Sequence, residues 1–208
     1  MIAIIDYGMG NLHSVEKALQ KVGAQTAIVA EPEGIKEAEA LILPGVGAFG
    51  KGMENLHQRG FPQVVREWVA AGKPLLGICL GLQLLFEESE EMGIHEGLGL
   101  LPGRVMRFQG PLKVPHIGWN QIHPVQPSPI LEGITDGSYA YFVHSYYAQP
   151  ADPTVVLATT DYGVEFASVV GKGNVFGLQF HPEKSQAVGL RILRNFVGSL
   201  INDYLSRH

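Results

Sequence analysis

The chain of 208 residues holds a single cysteine, Cys79. That scarcity excludes a disulfide framework and any multi-cysteine metal site. Long apolar runs are missing too, since nothing approaches the roughly 20 residues of a membrane-spanning helix. Basic charge is sparse and scattered: 15 Lys and Arg face 20 Asp and Glu, for a net charge of -5, which gives no electrostatic footprint for nucleic acid. The full Walker pattern does not occur, so a phosphate-binding loop of that kind is disfavoured. No metal or cofactor is expected. Linkers, charge runs and internal repeats are lacking as well, and residues 1–208 are expected to form one domain. Met1 to Asp6 has no basic lead and no small-residue cleavage site. It reads as a first strand and not as a signal peptide, with a cytoplasmic location as the expectation.

What is present is an alternation of strand and helix patterns, which predicts an α/β fold with an open, mostly parallel central sheet flanked by helices. Ile2 to Ile5, Ala27 to Val29 and Leu41 to Leu43 read as buried strands, with a helix over Val15 to Val22 ended by Gly23. After Leu43 come Pro44-Gly45-Val46-Gly47, a polar glycine-containing stretch, and a helix from about Pro62 to Ala71. Pro74 to Leu76 then lead into Gly77-Ile78-Cys79-Leu80-Gly81, followed by a helix-like stretch from Leu82 to Glu88. Beyond about Leu98 the texture changes to short β-branched and aromatic runs: Gly118 to Ile122, Tyr139 to Tyr146, Val155 to Thr159 and Phe166 to Val170. These predict added antiparallel strands in the C-terminal half. Gly171-Lys172-Gly173-Asn174 marks a hairpin. A closing helix is expected over Val188 to Leu205, with Ile192, Leu193, Phe196 and Leu200 on its apolar face.

Cys79 sits between a strand and a helix, in a cysteine version of the Gly-x-Ser-x-Gly elbow. There the helix dipole favours thiolate over thiol. A nucleophile of this kind needs a base and oxyanion donors. Leu178-Gln179-Phe180-His181-Pro182-Glu183 offers His181 at a strand end, with Glu183 two residues on to orient it, which suggests a Cys-His-Glu triad. Pro44-Gly45-Val46-Gly47 follows another strand end on the same sheet edge, so the Val46 and Leu80 N–H groups pair as an oxyanion hole. Each feature has a plainer reading, as a core cysteine, a strand ending or a tight turn. Their joint occurrence favours catalysis. His13, His57, His95 and His208 read as surface or helix positions; His116, His123 and His144 are candidates for supporting groups.

These motifs, in this order along nearly the whole chain, resemble the class I (triad) glutamine amidotransferases, whose sheet is flavodoxin-like. Ile5-Asp6-Tyr7-Gly8-Met9-Gly10-Asn11-Leu12 and Pro115-His116-Ile117-Gly118-Trp119-Asn120 are similar to one branch of that family. Its members are glutaminase subunits of two-chain synthases. The resemblance implies that Cys79 attacks the glutamine side-chain amide, with His181 and Glu183 as its partners. It also implies Gly47, Gln83, Glu91, Ser145 and Tyr146 as substrate contacts, Glu91 taking the α-ammonium. The implied partner is a (βα)8-barrel cyclase subunit in a heterodimer, to which ammonia is channelled, with Asn11, Trp119, Tyr141 and Lys184 on the docking face. If the Val46 peptide points its N–H away from the site in the free subunit, partner binding completes the hole by rotating it. A stand-alone cysteine amidase or peptidase, and a non-catalytic regulatory module, remain the alternatives.

Overall fold

The computed structural model describes residues 1–200. In chain order it forms β1 (Ile2–Ile5), α1 (Leu12–Lys21), β2 (Thr26–Val29), β3 (Ala40–Leu43), α2 (Phe49–Gln58), α3 (Phe61–Ala70), β4 (Leu75–Ile78) and α4 (Leu80–Leu84). There follow β5 (Phe86–Ser89), β6 (His95–Glu96), β7 (Leu101–Arg107), β8 (His116–Pro124), β9 (Ser138–His144) and β10 (Tyr146–Pro150). The last elements are β11 (Val156–Asp161), β12 (Glu165–Lys172), β13 (Val175–Leu178) and α5 (Gln186–Asn195).

Nine strands build the main sheet in the order β2-β1-β3-β4-β13-β12-β11-β8-β9, and β10-β7-β5-β6 form a second sheet of four. From β2 through β13 every pairing is parallel, and from β13 to β9 every pairing is antiparallel. The expected division into a parallel body and an antiparallel addition is therefore present.

The parallel strands are apolar on both faces, as strands covered on both sides must be. Alternation decides which layer each residue joins. Ile2, Ile4, Ala40, Ile42, Leu76 and Ile78 pack in a core that includes Val15 and Leu19 of α1 and Ile192 and Leu193 of α5. Ala3, Ile5, Leu41, Leu43 and Leu75 face the other core, with Phe49 and Met53 of α2, Phe61 and Trp68 of α3, and Leu80 and Leu84 of α4.

Five expectations need correction. The polar stretch after Gly47 contains a whole helix, α2, whose glycines argue against it locally. Gly52 in fact gives room for Leu80 and Leu84, which lie 3.3–3.4 Å from where its Cβ would stand. The helix-like stretch Leu82 to Glu88 is helical only through Leu84. From Phe86 the chain pairs in parallel with β7, Phe86 opposite Leu101, so sheet pairing overrides helical spacing. The first helix starts at Leu12, earlier than its apolar spacing indicates, because the Asn11 side chain accepts the Ser14 N–H at 3.3 Å and caps it. The run Tyr139 to Tyr146 is two strands, broken at Ser145. The final helix begins at Gln186 and passes into a π-turn at Phe196. Its expected continuation to Leu205, the side chain of Leu200, and His208 lie outside the described residues. Among the described residues no helix is long and apolar enough to cross a membrane.

Candidate active site

The carboxyl ends of β1, β3, β4 and β13 lie along one edge, where open α/β sheets bind ligands. The chain leaves them into Asp6-Tyr7, Pro44-Gly45, Cys79 and Gln179 to His181 respectively. At the end of β4, Cys79 has φ 54° and ψ -109°, a conformation costing on the order of 1–3 kcal/mol for a side-chain-bearing residue. The strain falls on the cysteine itself, whereas its flanking glycines provide space. A Cβ on Gly77 would meet the Gly81 backbone at 2.7 Å, and one on Gly81 would stand 1.7 Å from the Leu43 carbonyl oxygen. Only glycine at both places lets α4 sit directly on the sheet with Cys79 as its N-cap.

His181 arrives from β13 and is almost fully buried. Its Nδ1 lies 2.8 Å from Glu183 Oε1, and the Glu183 side chain is only 2% exposed. With Nδ1–H donating to the carboxylate, Nε2 is left for chemistry in the cavity. Burial alone would push the His181 pKa down. Interaction with the Cys79 sulfur and with Glu183 outweighs it and raises the pKa to about 10. The imidazolium is thus the favoured form at neutral pH. Glu183 Oε2 is buried without a hydrogen-bond partner, which leaves His181 as the principal compensation for that carboxylate.

The turn carrying this pair is tied to β9. His181 N–H donates to the Tyr141 carbonyl at 2.9 Å, and the Ser185 hydroxyl accepts the Tyr141 N–H at 2.9 Å while donating to the His181 carbonyl at 2.7 Å.

The oxyanion side is arranged differently. Leu80 N–H, one of the two expected donors, is taken by the Gly45 carbonyl at 3.3 Å. A peptide that aims its C=O at that spot aims its N–H, here that of Val46, the other way. In this conformation the expected Val46–Leu80 pair does not form a hole.

A cavity of about 370 Å³ brings together Val46, Gly47, Cys79, Leu80, Gln83, Glu91, Ser145, Tyr146, His181 and Lys184. Glu91 also accepts the Phe49 N–H at 2.7 Å, at the start of α2, so one oxygen caps that helix. Burial, with Glu91 next in size, pushes the Tyr146 phenol up. Gln83 Nε2 donates to the Tyr146 carbonyl at 2.9 Å and to Gln179 Oε1 at 3.2 Å.

Gln179 escaped the sequence reading. It is fully buried with Nε2 3.9 Å from Cys79 Sγ, and a lone amide inside an apolar strand run is the signal that could have revealed it. His144 and His116 form a support behind the wall. His144 Nδ1 lies 2.8 Å from the Tyr146 carbonyl, His116 Nδ1 2.9 Å from His144 Nε2, and Asn120 Nδ2 3.2 Å from His116 Nε2. Burial lowers both pKa values, to about 3 for His144 and about 4 for His116, so both rings are neutral and the chain of donors fixes their tautomers. His123 pairs instead with Asp136 at the surface.

Of the expected docking residues, Trp119 is 46% exposed and meets Tyr141 edge-on at 5.7 Å, while Lys184 Nζ stands 5.9 Å from the Tyr141 ring. Asn11 is exposed and occupied as the cap of α1.

Comparison with known proteins adds to this geometry. Residues 3–200 match the family model for glutamine amidotransferase class-I. The imidazole glycerol phosphate synthase subunit HisH of Syntrophotalea carbinolica is 55% identical over 203 residues, covering 94% of this chain and 98% of the relative. The HisH subunit of Geobacillus kaustophilus is likewise 55% identical, over 204 residues, covering 95% of this chain and 96% of its own. A crystal structure of a glutamine amidotransferase superposes with a TM-score of 0.77 at 23% identity, covering 97% of this chain and all of that one. The chain belongs to the class I glutamine amidotransferase family.

Proposed function

We propose that the chain is the glutaminase subunit of imidazole glycerol phosphate synthase, hydrolysing glutamine and passing the ammonia to a cyclase subunit in histidine biosynthesis. One observation carries this reading: a strained thiol shares a cavity with a buried imidazole–carboxylate pair, in a chain 55% identical to HisH subunits over nearly its whole length.

In the proposed mechanism the Cys79 sulfur attacks the side-chain carbonyl carbon of glutamine, and the carbonyl electrons move to oxygen. His181, held as the acid, gives its Nε2 proton to the amide nitrogen, and collapse of the tetrahedral adduct breaks the C–N bond. Ammonia leaves and a γ-glutamyl thioester remains. Neutral His181 then takes a proton from water as its oxygen attacks the thioester, and the second collapse expels the Cys79 thiolate and glutamate. Glu183 keeps Nδ1 protonated throughout. Gly47, Gln83, Ser145 and Tyr146 hold the substrate, with Glu91 facing its ammonium.

Both tetrahedral adducts need oxyanion donors, and the Gly45 carbonyl stands where they should be. Rotation of the Gly45–Val46 peptide would free Leu80 N–H and turn Val46 N–H inward. This supports a subunit that waits for its partner, and it disfavours the stand-alone hydrolase. The proposed partner is a (βα)8-barrel cyclase subunit in a heterodimer, which yields imidazole glycerol phosphate and an aminoimidazole carboxamide ribotide. Its proposed seat is the apolar face of the β8–β9 hairpin, where Ile117, Trp119 and Tyr139 are exposed, together with Lys184 at the cavity mouth. A partner seated there would receive ammonia directly, before bulk water protonates it.

The test is to incubate the chain with glutamine, with and without the cyclase subunit and its ligand, and to measure glutamate. Partner-dependent release supports the reading. Partner-independent hydrolysis of varied amides would favour the hydrolase, and no hydrolysis would favour the regulatory module. A glutamine-like electrophile should label Cys79.

A further inference from the structure

The loop that blocks the oxyanion position is itself held by a residue that the triad chemistry does not use. Tyr7 follows β1, is completely buried, and donates its hydroxyl to the Pro44 carbonyl at 2.7 Å. A Cβ on Gly45 would stand 2.1 Å from that hydroxyl and 3.0 Å from Leu80 Cβ, so the Gly45 Cα is clasped between Tyr7 and the first residue of α4. Gly10, in the same segment, approaches so closely that its Cβ would lie 3.3 Å from the Gly45 Cα. The segment is anchored in turn: Asn55 Nδ2 donates to the Tyr7 carbonyl at 3.0 Å, and Arg59 Nη1 to that of Asp6 at 2.6 Å. Burial, and after it the nearby Cys79, hold the Tyr7 phenol far above its ordinary range, so the hydroxyl stays a donor.

We propose that Tyr7 is a positioning residue for the oxyanion hole, its hydroxyl fixing the Pro44 carbonyl so that the activating rotation is confined to the Gly45–Val46 peptide. The inference rests on the glutaminase reading. With the Pro44–Gly45 peptide held, a crankshaft about Gly45 ψ and Val46 φ exchanges the Gly45 carbonyl for the Val46 N–H while the rest of the loop stays in place. Without the anchor the preceding peptide turns as well, and Val46 N–H spends less time aimed at the oxyanion. Oxyanion donors act on the charge that develops in the transition state, so the loss appears in kcat and spares KM.

The experiment uses the complex with the cyclase subunit and its ligand. Tyr7→Phe removes one oxygen and keeps the ring. It is expected to lower glutaminase kcat roughly tenfold at unchanged KM. Iodoacetamide should alkylate Cys79 at the wild-type rate, because displacement at a saturated carbon forms no oxyanion. Thermal melting and complex stoichiometry count the folded molecules. If the variant does not fold, Asn55→Ala loosens the same anchor from behind, with a threefold fall in kcat expected and the same split.

Wild-type kcat in the folded Tyr7→Phe complex, or in Asn55→Ala where that stands in, overturns the proposal. Equal slowing of hydrolysis and alkylation also overturns it, since that marks general distortion of the site. Failure of the wild-type complex to release glutamate refutes the glutaminase reading instead, which separates the two outcomes.

Discussion

The two sides of the cavity are built on different principles. On one side, His181 and Glu183 are joined at 2.8 Å, nearly sealed from solvent, and pinned to β9 by backbone and Ser185 hydrogen bonds. On the other, the Pro44–Gly47 loop meets α4 through one 3.3 Å bond that occupies the very donor an oxyanion would need. In the proposed mechanism, proton transfer is prepared in advance, while charge stabilisation awaits a backbone rotation. Such a division would let a partner control turnover through the hole alone, because the proposed acid–base pair is already assembled.

The sharpest break comes on the prepared side. Cys79→Ala should abolish partner-stimulated glutamate release by at least about a thousandfold while the complex still forms, since nucleophile and base act as a unit. Glu183→Gln should cost roughly a hundredfold or more in kcat, because it keeps the shape and removes the charge that favours the imidazolium. Steady-state glutamate release measures both. If Glu183→Gln retained wild-type turnover, His181 would not depend on the carboxylate.

The comparison is sharpened on the other side by using two reactions of one thiol. Binding of the cyclase subunit and its ligand should raise glutamine turnover by about a hundredfold, the range for gaining an oxyanion donor. The same binding should leave iodoacetamide alkylation of Cys79 nearly unchanged. Parallel acceleration of both would mean that the partner acts on the thiol–imidazole pair, and the contrast between the two sides would collapse.

The sequence made one side far more legible than the other. Cys79 and His181 could be placed because each follows a strand readable from apolar runs, with Glu183 two residues on, and all three side chains are of the kind the proposed chemistry needs. The direction of the Gly45–Val46 peptide could not be read, since it depends on a backbone rotation to which residue identity is blind. Gln179 was obscured because it reaches the thiol only through β4 and β13 meeting in space, and His116 and His144, though candidates for supporting groups, are joined to each other only by the pairing of β8 with β9. The same reason explains α2, where Gly50 and Gly52 weaken the local signal and contact with α4 supplies what propensity does not. β5 is the reverse case: helical spacing continues past Leu84, but pairing with β7 takes the chain. Leu41 to Leu43 and Phe166 to Val170 were readable because burial on both faces writes itself into consecutive residues.

A smaller effect is expected outside the cavity. Trp119→Ala and Lys184→Ala should each weaken the affinity for the cyclase subunit roughly tenfold without unfolding the chain. Trp119 is expected to lose the more, because its ring is the larger exposed apolar surface. Titration of the partner with each variant measures this, and unchanged affinity in both would move the docking face elsewhere.

The last expected effect concerns stability, and it tests the prepared side without turnover. A folded-state pKa of about 10 for His181, against an ordinary 6.5, means that the folded chain holds this proton more tightly than the unfolded chain. The resulting stabilisation is complete below pH 6.5 and is lost as pH rises through about 10. Urea midpoints should therefore decline over that interval. In Glu183→Gln one of the charges raising the pKa is gone, so the decline should be shallower and end at lower pH. The two proteins differ only at this carboxylate, and the difference between the two curves isolates the buried pair. Parallel curves would show that the carboxylate does not hold the proton on His181, and the side of the cavity that looks finished would then also need its partner.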